Sequence, residues 1–158
     1  MDTTLKVGDL APDFTLLDQS DKKHSLSDYK GKWVLIYFYP KDDTPGCTKE
    51  ACALRDNFPS FKKDKAVILG VSIDSASSHK KFIKKYELPF TLLVDEDKAM
   101  VNKYGVWAKK KFMGKEYIGT KRTSFLLNPQ GKIAKIYENV KPAIHAEEVL
   151  QDLKTLQV

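Results

Sequence analysis

The sequence predicts an α/β fold, a mixed central sheet flanked by helices, in a single domain over residues 1–158. Three observations carry that prediction. Two continuous apolar runs, Trp33 to Phe38 and Ala66 to Ile73, flank a stretch with helical periodicity. Strand, helix and strand with that crossover length form a parallel βαβ unit, and unbroken apolar character places both strands inside a sheet covered on two faces. Downstream, two short strand-like segments bracket Asn128-Pro129-Gln130-Gly131, and an amphipathic stretch follows. These add an antiparallel hairpin and a terminal helix.

The elements follow in order. Residues 5–12 contain Gly8 and Pro12 and read as an irregular lead-in. Phe14 to Leu17 is a short strand, Asp18 to Lys23 a turn, and His24 to Leu26 a second strand pairing back. Ser27 to Gly31 turns the chain into the buried strand 33–39. A helix begins at Cys47 and carries Ala51, Leu54, Arg55 and Phe58; Pro59 predicts a kink or break near Asn57 and a restart through Phe61. The second buried strand, 66–73, leads to a helix over 79–87 that ends before Pro89. Thr91 to Val94 is another strand. Asp95-Glu96-Asp97 supplies loop and cap chemistry for a helix over 98–104, ended at Gly105. The segment 106–121 is polar and glycine-containing, with Trp107, Phe112 and Tyr117 as apolar anchors. Thr123 to Leu127 and Ile133 to Tyr137 are antiparallel strands around a type I turn, with Pro at its second position and Gly at its fourth. Ala143 to Leu156 is a helix with Ile144, Val149, Leu150, Leu153 and Leu156 near one stripe. A βαβ unit followed by a hairpin and a terminal helix is the thioredoxin-like arrangement, here with added elements.

Composition narrows the function. At 158 residues the chain suits one core. Charged residues at 30% and a mean hydropathy of −0.42 fit a soluble globular protein. No apolar run approaches the ~20 residues that span a bilayer, and Met1 to Lys6 has no signal pattern, so a cytoplasmic protein without membrane association is expected. The net charge is +6, yet only Arg55 and Arg122 are arginines and the lysines are scattered. Readers of nucleic-acid sequence concentrate basic residues on one face with arginine prominent, so no specific nucleic-acid partner is expected. His24, His79 and His145 lie far apart with no ligand spacing, and neither metal nor other cofactor is expected. The two cysteines do not make a secreted disulfide framework.

The chemistry gathers between Tyr39 and Cys52, where both cysteines lie five positions apart. Pro45 keeps Thr44 extended. Gly46 allows a tight turn and brings backbone close to whatever sits above it. Cys47 falls in the first helical turn, where N–H groups lack partners and the macrodipole is positive. That setting favours a thiolate, the nucleophile that a peroxide converts to a sulfenic acid. Cys52 is separated from Cys47 by about 7.5 Å of rise and about 140° of rotation. A disulfide needs Cα atoms within about 7 Å, so joining the two requires the helix start to open. From spacing alone, Cys52 reads equally as a thiol that resolves the sulfenic acid after local unfolding and as a core cysteine packed with Ala53 and Leu54.

The pattern Pro40-x-x-x-Thr44-Pro45-x-Cys47 resembles the peroxidatic motif of peroxiredoxins. Thr48-Lys49-Glu50-Ala51-Cys52 is similar to the bacterioferritin comigratory protein (peroxiredoxin Q) subgroup, whose second cysteine lies five residues on. The match continues through Tyr104-Gly105-Val106-Trp107, Lys111-Phe112-Met113-Gly114-Lys115 and Arg122-Thr123-Ser124-Phe125-Leu126, and so covers essentially the whole chain. The resemblance implies a thioredoxin-like fold, thiol peroxidase activity and thioredoxin, or a similar dithiol, as reductant. It makes Cys47 the peroxidatic cysteine and Cys52 the resolving one. Thr44 would hydrogen-bond the peroxide oxygens, Pro40 would shield the pocket, and Arg122 would sit beside the thiolate. A fixed guanidinium and the N–H groups of Gly46 and Cys47 would stabilise charge on sulfur and on the leaving oxygen.

The implied cycle starts with Cys47 attacking a peroxide and ends with a Cys47–Cys52 disulfide reduced by exchange. A resolving cysteine in the same helix leaves no need for a partner subunit, so a monomer is expected. Other readings are a thioredoxin-like disulfide oxidoreductase, against which C-x4-C in place of C-x-x-C counts, a peroxidase resolved by an external thiol, and a lysine-rich binding module with inert cysteines.

Overall fold

In the computed structural model, which describes residues 5–157, the chain opens with two short antiparallel strands, β1 (Thr15–Asp18) and β2 (Lys23–Ser25). A 3-10 turn over Leu26–Tyr29 leads into β3 (Trp33–Phe38). Two helices follow, α1 (Pro45–Asp56) and α2 (Phe58–Lys63), divided at Asn57. Then come β4 (Ala66–Ser72), α3 (Ala76–Tyr86), β5 (Thr91–Val94) and α4 (Ala99–Lys103). A hairpin of β6 (Trp107–Phe112) and β7 (Lys115–Thr120) precedes β8 (Thr123–Leu127), β9 (Ile133–Tyr137) and α5 (His145–Leu156).

Seven strands form one sheet in the order β2-β1-β5-β4-β3-β8-β9. The β3–β4 and β4–β5 pairs are parallel, and the β1–β2, β1–β5, β3–β8 and β8–β9 pairs are antiparallel. The sheet is therefore mixed, as the continuous apolar runs and the Asn128–Gly131 turn predict. Side chains of β3 alternate between two cores. Leu35 and Tyr37 pack with Ala51 and Leu54 of α1 and Val149 and Leu153 of α5. Val34, Ile36 and Phe38 pack on the other face with Val101, Tyr104 and Phe125. Burying each such side chain is worth about 1.5–3 kcal/mol, which makes β3 a rigid base for the loop that leaves its end.

The break at Pro59 falls where the sequence puts it, with Asn57 between the two helices. The expected helix over 79–87 starts three residues earlier, because the Ser75 hydroxyl accepts the Ser78 N–H at 3.1 Å and caps it. Asp95 acts at a helix start, as expected: its carboxylate takes the N–H groups of Met100 and Val101 at 3.0 and 2.8 Å. Two expectations are corrected. The segment 106–121 forms the β6–β7 hairpin, and of its three expected apolar anchors only Trp107 packs against the core, while Phe112 and Tyr117 are 66% and 46% exposed. In α5, Ile144 and Leu156 lie outside the buried stripe at 52% and 42% exposure: the helix begins at His145, and its buried positions run from His145 to Leu153.

Candidate active site

The loop from β3 to α1 carries the reactive stretch, and its conformation is built locally. Thr44 is extended (φ −99°, ψ 157°) at the N-cap, and Pro45 occupies the first helical position, where its missing N–H costs nothing. The first intrahelical bond runs from the Thr48 N–H to the Thr44 carbonyl at 2.8 Å. The N–H groups of Gly46 and Cys47 therefore point out of the helix start without intrahelical acceptors. The Thr44 hydroxyl does not cap the helix; it donates to the Lys41 carbonyl at 2.8 Å. Its lone pairs are left to accept a proton donor. Pro40 is half-buried at the end of β3.

Cys47 is buried, with 1% exposure, in the core cluster of β3, α1 and α5. Arg122, in the short turn between β7 and β8, reaches it from across the sheet. One guanidinium nitrogen, Nη2, lies 3.4 Å from the Cys47 Sγ, and the other, Nη1, donates to Glu50 Oε1 at 2.8 Å. Burial works against the guanidinium charge, and Cys47 and Glu50 outweigh it, so Arg122 stays protonated. Gly46 is what lets the guanidinium in: a Cβ there would lie 2.9 Å from Arg122 Nη2. The expectation that Gly46 brings backbone close to something above it thus acquires its object.

Glu50 is the site residue that sequence reasoning missed. Its side chain is fully buried, and burial pushes its pKa up to about 7 against the pull of Arg122. Its second oxygen, Oε2, has no partner among the described residues, and neither does the buried Tyr37 hydroxyl. Burial, then the charges of Glu50 and Cys47, hold the Tyr37 hydroxyl protonated. The signal was present: Cys47, Glu50, Ala51 and Leu54 are the buried positions of α1, at the i, i+3, i+4, i+7 spacing of one helix face. A glutamate on that face demands a cation.

Cys52 lies off this face and is half-buried, and both cysteines are free. Cys52 is therefore not the core residue that one of its two readings proposed. Arg55 bonds its neighbour Asp56 at 3.0 Å and the Tyr86 carbonyl at 2.8 Å, tying α1 to α3.

A second buried polar cluster fixes the loop upstream of the cysteine. Asp42 accepts the Tyr39 hydroxyl (2.6 Å), the Ser78 hydroxyl (2.8 Å) and His79 Nδ1 (2.7 Å). His79 Nε2 faces the Leu93 carbonyl at 2.8 Å. With an acceptor on each nitrogen, the ring must carry both protons, so a fully buried His79 is an imidazolium. Burial opposes that charge, but the hydrogen bond and charge of Asp42 outweigh it and raise the His79 pKa. Asp74 joins the cluster by accepting the Asp42 N–H and the Ser72 hydroxyl. The sequence sets His79 aside as isolated; the fold brings it to a carboxylate 37 residues away. The atoms of this cluster hydrogen-bond to one another, and the arrangement is an ion pair that anchors the loop to α3. None of the helices described is long and apolar enough to cross a membrane.

A thiol at a helix start, two outward N–H groups and a fixed guanidinium can together hold an anionic sulfur and polarise an oxygen beside it. Known proteins resemble the chain as a whole. The model of the AhpC/TSA family matches residues 7–136. Peroxiredoxin Bcp of Bacillus subtilis is 47% identical over 153 residues, covering 97% of this chain and 98% of its own. Peroxiredoxin Bcp of Escherichia coli is 47% identical over 150 residues, with 95% and 96% covered. Among solved structures, the C47S variant of Xylella fastidiosa PrxQ superposes with a TM-score of 0.93 at 34% identity over 99% of both chains. A Xanthomonas campestris bacterioferritin comigratory protein, studied for alkyl peroxide reduction, gives a TM-score of 0.89 at 38% identity over 99% of this chain and 100% of that one. The thioredoxin-like sheet, the match over most of the chain and these relatives lead to one conclusion: the chain belongs to the AhpC/TSA family, among its Bcp/PrxQ peroxiredoxins, and is a thiol peroxidase.

Proposed function

We infer that this peroxidase reduces hydrogen peroxide and organic hydroperoxides at Cys47 through an intramolecular disulfide with Cys52. The observation that carries the reading is the contact of Arg122 with the Cys47 sulfur at the start of α1. The thiolate attacks the peroxide oxygen, the O–O bond breaks, and the leaving oxygen takes a proton to depart as water or an alcohol. Arg122 and the N–H groups of Gly46 and Cys47 stabilise the charge on that oxygen. The Thr44 hydroxyl accepts a hydrogen bond from the peroxide O–H through the lone pairs left by its bond to the Lys41 carbonyl, and Pro40 shields the pocket. The Cys52 thiol then displaces hydroxide, released as water, and forms the disulfide. This step requires the first turns of α1 to unwind, since both cysteines lie within one continuous helix. A dithiol reductant such as thioredoxin recovers both thiols by exchange. The reading is of one domain working as a cytoplasmic monomer, because no step calls for a second chain.

Intact mass and peptide mapping after one equivalent of hydrogen peroxide test the cycle. Rapid, stoichiometric formation of a Cys47–Cys52 bond is expected. Oxidation that stops at Cys47 with Cys52 still reduced moves resolution to an external thiol. Turnover of insulin disulfides without reaction with peroxide would favour the disulfide oxidoreductase instead.

A further inference from the structure

The β6–β7 hairpin carries a lysine that the cycle above does not use. Lys110 pairs across the hairpin with Tyr117. Its stem lies along Gly119, where an added Cβ would come within 3.4 Å of Lys110 Cδ and 3.2 Å of Tyr117 Cε2. The ammonium donates to the Thr120 carbonyl at 2.9 Å and sits 5.8 Å from the centre of the Tyr117 ring. Thr120 is two residues before Arg122, so the fold delivers this ammonium to the edge of the Cys47 site. Lys110 is half-buried, and among the described residues it has no carboxylate partner. Burial and then the Arg122 charge lower its pKa, while Cys47 pulls it back.

The charges around the sulfur do not balance without the thiolate. Beside Cys47 lie Glu50 of its own helix and Arg122 of the β7–β8 turn, bonded to each other; the Lys110 ammonium of β6 is held at the end of β7, two residues from Arg122, and it and Tyr37 of β3 both sense the charge of Cys47. His145 of α5, bonded to Ser124 and Glu148, also feels the Arg122 charge. Two cations thus face one carboxylate, and a half-buried cation set against another cation is unfavourable unless an anion lies between them. We propose that Lys110 is the second cation of the site, a positioning residue that acts through the field at Cys47 and favours the anionic sulfur. The hairpin is then part of the catalytic apparatus as well as an ornament on the sheet. The inference rests on the reading of Cys47 as the reactive thiol.

The test needs no peroxide. In protein carrying Cys52→Ser, so that one thiol remains, thiolate ultraviolet absorbance is titrated with pH. Lys110→Met keeps the stem against Gly119 and removes the charge. Its titration midpoint is expected to rise by about one pH unit, and Lys110→Arg to restore it. Lys109→Met makes the same change in net charge on the opposite face of β6 and is expected to leave the midpoint in place. An unchanged midpoint in Lys110→Met, or an equal rise in Lys109→Met, would overturn the proposal. Failure of the unmodified protein to react with peroxide, with the midpoint still moved by Lys110→Met, would sink the peroxidase reading and leave this one standing.

Discussion

Two buried ion pairs flank the reactive loop, and they are finished differently. At Asp42–His79 both carboxylate oxygens and both ring nitrogens have partners. At Arg122–Glu50 one carboxylate oxygen has no partner among the described residues, and one guanidinium nitrogen is turned to a sulfur. The first arrangement is closed and holds the loop to α3. The second is left open beside the Cys47 sulfur, where the proposed reaction makes charge appear and vanish. A fully satisfied network stiffens a fold; a partly satisfied one stores unspent hydrogen-bonding capacity for a substrate.

Arg122→Met removes the cation of the open pair. Peroxide reactivity is expected to fall about 10²–10³-fold, the scale of losing one preorganised donor to a developing charge. Stability should drop by about 3–5 kcal/mol, because Glu50 is left buried without its cation. The pH dependence has a definite sign. The Glu50 pKa is already raised to about 7 with Arg122 present, so ionising it costs stability as pH rises, and more so without Arg122. The deficit measured by urea unfolding should be largest above about pH 7 and shrink as the solution is acidified.

His79→Gln opens the closed pair. A loss of about 2–4 kcal/mol is expected, with peroxide reactivity reduced far less than in Arg122→Met. Because the folded His79 pKa lies above its ordinary value of 6.5, its contribution is fully present below that value and is lost as pH rises through the folded pKa. The difference between variant and parent should therefore narrow in alkaline solution. Equal losses of activity in the two variants would erase the distinction between holding and reacting.

Glu50→Gln keeps an oxygen for Arg122 and removes the charge. Reactivity should fall about tenfold as the guanidinium loosens. The part of the stability curve that declines between the ordinary glutamate value of 4.5 and about 7 should flatten, since the native state no longer holds an extra proton there. The mildest change is Gly46→Ala. Its Cβ would press on Arg122 Nη2, and reactivity should fall several-fold. Stability should fall by no more than about 1 kcal/mol, because the better helix propensity of alanine partly offsets the loosened Arg122–Glu50 pair.

The sequence by itself determined the sheet, the order of its elements and the position of Cys47. Those rest on local chemistry: apolar runs at 33–38 and 66–73, the Asn128–Gly131 turn, Pro59 at a helix break, and Thr44-Pro45-Gly46 before a helical turn. Arg122 was reached through a resemblance of motif, since nothing in its own neighbourhood marks it. The β6–β7 hairpin escapes because its polar strands bury little and so lack an apolar rhythm. Only the tertiary structure decided which charges meet. Glu50 finds Arg122 across 72 residues and His79 finds Asp42 across 37. Separation in sequence carries no trace of such pairing, because a buried charge selects its partner by position in the folded core, after the hydrophobic pattern has already set the frame.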